Sequence, residues 1–316
     1  MSKCRCGLFL GLFILLTSTA NGQVPRSAQD FFNRGRDYLT KGDFERAVAS
    51  FTRAIEIDRP SKDRLRGGHS WNTDSPPVNE PSDSDRVILV SPLTAPAYIN
   101  RGLARVQMGD IEGALSDCDQ ALAINPGLVQ AYTNRAAIRW TKGDLDGAIA
   151  DFDQVIQKNP RDAKAYNNRG NVRVDQRDFV GALPDLDRAV LLDPHQADFY
   201  ADRGLARLWS RDTINAFIDF DRAIQINSKS SWVYLSRARG WYSKRDFVRA
   251  IADLDRAIEL DPKSAKAFGN RGLTHLRLGQ AAQAERDFAE CLRLDPTLKP
   301  DLERTIKATL AARAQR

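Results

Sequence analysis

An all-α chain, stacked from two-helix units, is what the sequence predicts, and three observations predict it. The first is a period. Arg101, Arg135, Arg169, Arg203, Arg237 and Arg271 each stand 34 residues from the next, and Arg34 precedes Arg101 by 67, one period plus 33 residues. Self-similarity at this spacing marks units that bury their apolar faces only by stacking. The second is the apolar pattern inside the period. With each unit numbered 1 to 34, position 1 falls at Ala28, Ala95, Val129, Ala163, Ala197, Ser231 and Ala265. Position 4 is always Tyr or Phe, position 8 is Gly or Ala, and position 20 is always Ala. Positions 20, 24, 27 and 28 fall at the spacing of one helical stripe. The third is proline at position 32 (Pro126, Pro160, Pro194, Pro262 and Pro296), which ends the second helix of a unit.

Residues 1–22 have the build of a secretory signal peptide. Lys3 and Arg5 precede the apolar run Leu8–Leu16, and Ala20 and Gly22 are small residues suited to cleavage before Gln23, with cleavage after Ala20 as the alternative. The run is nine residues long, against roughly 20 needed to cross a bilayer. No stable membrane span is therefore expected, and the chain is expected to be exported, to a bacterial periplasm or the extracellular space. The first unit spans 28–61, with Gly42 and Asp43 as its turn: glycine takes a left-handed conformation and aspartate caps the next helix. Residues 62–94 are an insertion of low order, because Gly67-Gly68, Pro76-Pro77 and Pro81 cannot continue a helix. A surface loop and a flap over the stack are both open readings, with Trp71 as the residue to watch. Six contiguous units follow, 95–128, 129–162, 163–196, 197–230, 231–264 and 265–298. Within them Pro184 should kink a second helix, and Arg177, Arg211 and Arg245 replace the turn glycine. Residues 299–316 form a capping helix in which Leu302, Ile306 and Leu310 cover the last unit.

This pattern of aromatic, small, alanine and proline positions in one register resembles the tetratricopeptide repeat (TPR), over residues 28–298 in seven copies. The resemblance implies a right-handed superhelical solenoid whose first helices line a concave groove, and position 6 faces that groove in the family. Here position 6 is Asn33, Asn100, Asn134, Asn168, Asp202, Ser236 and Asn270. An asparagine amide offers one acceptor and two donors, enough to hold the backbone of an extended peptide. The column is similar to the asparagine ladder in the repeat domain of the eukaryotic O-linked N-acetylglucosamine transferase, with Asp202 and Ser236 as departures. Aromatics join it at groove positions: Trp140 and Tyr242 at position 12, Trp209 at 13 and Trp232 at 2. Such rings dominate binding hot spots, and they also fill packing gaps. The unbroken run Asn100, Asn134 and Asn168, with Trp140, centres the expected binding surface on repeats two to four. The lysine that a chaperone-type carboxylate clamp places at position 5 is missing, since that position holds Phe32, Ile99, Thr133, Asn167, Ala201, Leu235 and Gly269.

A second polar pattern points to architecture. Position 7 is arginine in every unit, and repeats two to five add Arg105, Arg139, Arg173 and Arg207 one turn later. Aspartates stand at positions 23 and 25 of repeats two to six, from Asp117 and Asp119 to Asp253 and Asp255. A ladder of Arg–carboxylate pairs within and between repeats is expected, with Asp185 and Asp187 important for stability. Catalysis is not expected. The three histidines, His69, His195 and His275, have no nucleophile or metal-spaced partner nearby, so no metal site or cofactor is expected. Net charge is +6, or +4 without Lys3 and Arg5, and the basic residues are interspersed with acids. That speaks against a nucleic-acid partner, which calls for a clustered basic face. Cys118 and Cys291 fall on core positions of distant repeats and are expected as buried thiols, not a disulfide. The expected function is a non-catalytic adaptor or assembly scaffold that binds a protein or extended peptide in its groove. The alternative is a spacer that binds through its convex or edge surface.

Overall fold

The computed structural model of the chain describes residues 27–58 and 92–314. The expected signal peptide, Trp71 and nearly all of the 62–94 insertion lie outside them. The described residues are all-α: fifteen α-helices and one 3-10 turn, Pro296–Leu298. Seven pairs follow the period: α1 (Ala28–Thr40) with α2 (Phe44–Asp58), α3 (Thr94–Gln107) with α4 (Ile111–Ile124), and α5 (Val129–Lys142) with α6 (Leu145–Lys158). The remaining four are α7 (Ala163–Asp175) with α8 (Phe179–Leu192), α9 (Ala197–Trp209) with α10 (Thr213–Ile226), α11 (Ser231–Ser243) with α12 (Phe247–Leu260), and α13 (Ala265–Leu278) with α14 (Ala281–Leu294). A last helix, α15, spans Lys299–Ala314.

The chain divides between Lys158 and Asn159 into two compact units. The first holds repeats one to three and the second repeats four to seven with α15. Inside each unit the two helices of a repeat pack together, and each second helix packs on the first helix of the next repeat. The insertion does not interrupt this order. α2 packs on α3, and Thr94 Oγ1 donates to Asp58 Oδ2 at 2.5 Å across it.

Local chemistry explains the pairs. In all seven repeats position 15 has positive φ, supplied by Gly42, Gly109, Gly143 and Gly279, and by Arg177, Arg211 and Arg245 at φ 65°, 69° and 64°. That turn closes the first helix; in repeat three, for example, the Asp144 N–H donates back to the Arg139 carbonyl at 2.9 Å. The same aspartate then caps the second helix by accepting from the Gly147 N–H at 3.0 Å. Position 20 alanines are fully buried from Ala47 to Ala250, and Phe51, Phe152, Leu186, Phe220 and Leu254 fill position 24 beneath them. Small residues at position 8 permit this. A methyl on Gly204 would sit 2.7 Å from the Phe220 ring and 3.1 Å from the Ala216 carbonyl. Helix α8 runs through Pro184 at the same 14-residue length as α10 and α12.

α15 packs on α13, and its Leu302 is buried. Leu310, expected on the same stripe, is instead exposed, and Thr309 is buried. Steps of four residues drift about 40° each round a helix, whereas seven residues return to within about 20° of the start. Thr309, seven residues on from Leu302, therefore shares its face and Leu310 turns outward.

Candidate functional site: a polar column beside an ion-pair ladder

In repeats two to seven the position 7 arginines lie beside the position 23 carboxylates of their own repeats. Arg135 Nη2 donates to Asp151 Oδ1 at 2.6 Å and Nε donates to Oδ2 at 3.0 Å. Its remaining Nη1 reaches Asp119 of the preceding repeat at 2.5 Å. Arg203 repeats this with Asp219 and Asp187, Arg237 with Asp253 and Asp221, and Arg271 with Asp287 and Asp255. Asp287, in a repeat whose position 25 is alanine, is a ladder member that the pairwise pattern of repeats two to six did not single out. Arg101 finds Thr52 Oγ1 where a carboxylate is lacking in repeat one. Each guanidinium also stacks on the aromatic three residues earlier, Arg101 on Tyr98 at 5.1 Å and Arg203 on Tyr200 at 5.4 Å.

The second arginines complete the inner shell. Arg105 Nη1 lies 2.9 Å from Asp117, Arg139 Nη1 2.8 Å from Asp151, Arg173 Nη1 2.5 Å from Asp185 and Arg207 Nη1 2.8 Å from Asp219. Two arginines one turn apart are thus reconciled by one shared buried carboxylate. In repeat six Trp241 takes the second arginine's place and packs on Phe217, with Arg249 over its ring. In repeat seven His275 Nδ1 pairs with Gln280 Oε1 at 2.6 Å. Burial opposes the charge of Arg203, but hydrogen bonds and the charges of Asp219 and Asp187 outweigh it and hold the guanidinium above its usual range. Burial pushes the Asp219 carboxyl up, against the pull of Arg203 and Arg207. Burial likewise pushes the Cys118 thiol up to about 12. Both Cys118 and Cys291 are free, buried thiols.

The position 6 column lies next to this ladder in sequence and is less uniform. Asn33 accepts from Gln29 Nε2 at 3.0 Å, and Asn134 accepts from Gln130 Nε2 at 2.8 Å. Asn100 and Asn168 are half-buried. Asn134 and Ser236 are buried, and Asn134 Nδ2, Ser236 Oγ and Asn270 Nδ2 are buried atoms without a hydrogen-bond partner. Asp202 is buried at the centre of a network in the second unit. Its Oδ2 accepts from Asn167 Nδ2 at 2.9 Å and Asn171 Nδ2 at 2.8 Å, and its Oδ1 accepts from Trp232 Nε1 at 3.1 Å. Asn171, at position 9, was not singled out by the sequence pattern. Asn167 Oδ1 has no partner.

The structure joins Trp232 to this column and sets the other aromatics among neighbours of their own. Tyr242 accepts from Arg277 Nε at 3.0 Å and meets Phe247 edge-on. Trp209 leans on Phe179 with ring centroids 6.1 Å apart. Trp140 is half-buried. Among the described residues no group of His, Cys, Asp or Glu is arranged to hold a metal ion, and no helix is long and apolar enough to cross a membrane.

Paired helices in a 34-residue frame, with a polar column at position 6, define a helical repeat protein. Models of the tetratricopeptide repeat match residues 31–60, 95–128, 133–197 and 237–315. The chain belongs to the tetratricopeptide-repeat family. Solved structures agree on the fold. A tetratricopeptide repeat protein from Parabacteroides merdae ATCC 43184 is 17% identical with a TM-score of 0.72, covering 90% of this chain and 100% of that one. A thermophilic TPR protein of Thermus thermophilus is 19% identical with a TM-score of 0.52, over 58% and 99% of the two chains. The pilF protein of Pseudomonas aeruginosa is 23% identical with a TM-score of 0.51, over 64% and 92%. A search of curated proteins finds no significant match. Proteins of this fold serve generally as protein-interaction scaffolds, and no enzymatic family is indicated.

Proposed function

We propose that the chain is a non-catalytic adaptor or assembly scaffold whose position 6 column holds the backbone of a protein segment or extended peptide. The observation that carries this is the set of buried polar atoms without partners: Asn134 Nδ2 in the first unit, and Ser236 Oγ, Asn270 Nδ2 and Asn167 Oδ1 in the second. A buried unsatisfied donor or acceptor costs about 1–3 kcal/mol, so such groups call for a role. Asn134, Ser236 and Asn270 all stand at position 6, whole periods apart. An amide donor there matches a peptide carbonyl. Gln130, exposed and one turn away, covers Asn134 through a single hydrogen bond and can swing aside. Trp140 supplies an apolar anchor in the same repeat.

With export expected from residues 1–22, the partner is sought in the cell-envelope fraction of the native host. Capture on the immobilised protein, quantified by mass spectrometry, should drop roughly thirtyfold in affinity for Asn134→Ala and for Trp140→Ala. Because Asn134→Ala removes a buried donor without a partner and breaks one hydrogen bond, to the exposed Gln130, its thermal melt should stay close to wild type. The groove reading fails if both variants retain the partner in full while alanines on the exposed face of the second helices release it.

A further inference from the structure

The second unit carries an exposed apolar row that the first lacks. Position 18, the second residue of each second helix, is Glu45, Glu112 and Asp146 in repeats one to three. In repeats four to six it is Val180, Ile214 and Val248, with exposures of 85%, 78% and 73%. One turn on, position 22 is Pro184, Ile218 and Ala252, all exposed. The same three repeats place exposed arginines at position 15, in the left-handed conformation that the other repeats give to glycine. A left-handed residue with a Cβ costs about 1–2 kcal/mol, and an exposed aliphatic row gains nothing for the folded monomer. Two unfavourable choices, three residues apart, thus coincide in three successive repeats.

A third row completes the face. At 100° per residue, positions 18, 22 and 25 of a helix lie within about 60° of one another. Position 25 is Asp187, Asp221 and Asp255, each about half-exposed although each accepts from an arginine of the next repeat. A carboxylate has about four acceptor sites, so room remains on each. In repeats four to six the face therefore reads arginine, apolar, apolar, aspartate, at position 15 in the turn and positions 18, 22 and 25 of the second helix. This order is symmetric about position 20, with the charges reversed.

We propose that this face of repeats four to six binds a second copy of the chain across a two-fold axis centred on α10. The axis sets the helices antiparallel, so position 18 of one copy meets position 22 of the other and position 15 meets position 25. Ile214 then packs on Ile218 of the second copy, Arg211 pairs with Asp221, and α8 lies opposite α8 of the second copy as α12 lies opposite its α12. An isologous contact of this kind needs a self-complementary surface, and the two charged rows, equal in number and equally far from the axis, provide it. The aliphatics carry no exposed aromatic among them, unlike a face built to sit in a lipid interface. The contact involves about a dozen residues a side, fewer than the roughly 20–30 of a standard interface, so a dissociation constant in the micromolar range is expected.

Light scattering after size exclusion, on the chain purified from its host and loaded from about 1 to about 100 µM, tests this directly. The wild-type mass should rise from one chain to two across the series. Ile214→Glu with Ile218→Glu should hold it at one chain throughout, with an unchanged circular dichroism melt because both side chains are exposed. Arg211→Glu, which sets like charges face to face, should weaken the dimer at least about tenfold. Glu112→Lys, in the first unit, should leave it unchanged. A wild-type chain that stays a monomer at about 100 µM overturns the proposal, whether or not it binds acidic lipid vesicles. So does a doubly substituted chain that dimerises like wild type, or an Arg211→Glu dimer of undiminished affinity.

Discussion

In repeat three, Arg135 grips Asp151 at 2.6 Å, Gly143 makes the turn and Asp146 faces solvent at position 18. In repeat five, Arg203 grips Asp219 at the same 2.6 Å, Arg211 makes the turn and Ile214 faces solvent. The interior of the two repeats is one design, down to the second arginine that shares the carboxylate. Their outer edges differ in charge, polarity and backbone cost. Stacking places the same demands on every repeat, because each must close its face against the next. Solvent places almost none, so a patterned change of exterior over three successive repeats marks a surface with its own use.

The largest expected effect tests whether the interior is shared. Asp151→Ala and Asp219→Ala should each strand two arginines and lower the stability of their units by about 3–5 kcal/mol, read as urea midpoints. Asp221→Ala, at a half-exposed position, should cost under about 1 kcal/mol. Unequal costs for Asp151 and Asp219 would break the equivalence. An effect no larger than that of Asp221 would show the inner carboxylates to be solvated.

The next effect concerns the buried thiol of the first unit. In repeat two Cys118 fills position 24, where repeats four to six use Leu186, Phe220 and Leu254. Its thiol would ionise near 9.0 in the unfolded chain and near 12 when folded. The folded form is thus fully favoured below pH 9, and that advantage drains as pH climbs from 9 towards 12, by at most about 1.4 kcal/mol per pH unit. Stability against pH should fall more steeply across this window in wild type than in Cys118→Ala, where the Cys291 thiol, also pushed up by burial, still titrates. An equal slope in both would assign the loss to other groups.

The smallest effect concerns the turns. Arg211→Gly relieves left-handed strain of about 1–2 kcal/mol and returns about half of it as unfolded-chain entropy, leaving a net gain near 0.5–1 kcal/mol. Gly143→Arg should lose about as much. Should Arg211→Gly melt lower than wild type, the arginine would be serving the fold and not the exposed face.

Much of this architecture is legible in the sequence because its causes are local. The turn, the aspartate cap and the helix stop each depend on residues a few places apart, and the 34-residue frame repeats them until they cannot be missed. The exposed row at position 18 was equally legible in principle. It shows as a column that changes from Glu45, Glu112 and Asp146 to Val180, Ile214 and Val248. Interior position 24 is apolar at the same period, however, and period alone does not separate an aliphatic column facing in from one facing out.

By itself, then, the sequence determined the helix pairs, their register and the presence of paired arginines and aspartates. Only the tertiary structure decided which aspartate does what. Positions 23 and 25 lie two residues and about 200° apart on one helix. One therefore turns to the arginine of its own repeat and is buried, while the other turns to the arginine of the next and stays half in water. The same holds for Asp202, whose partners Asn167, Asn171 and Trp232 come from the repeats on either side. Those contacts span 30 to 35 residues of chain, and stacking alone brings them within hydrogen-bond reach.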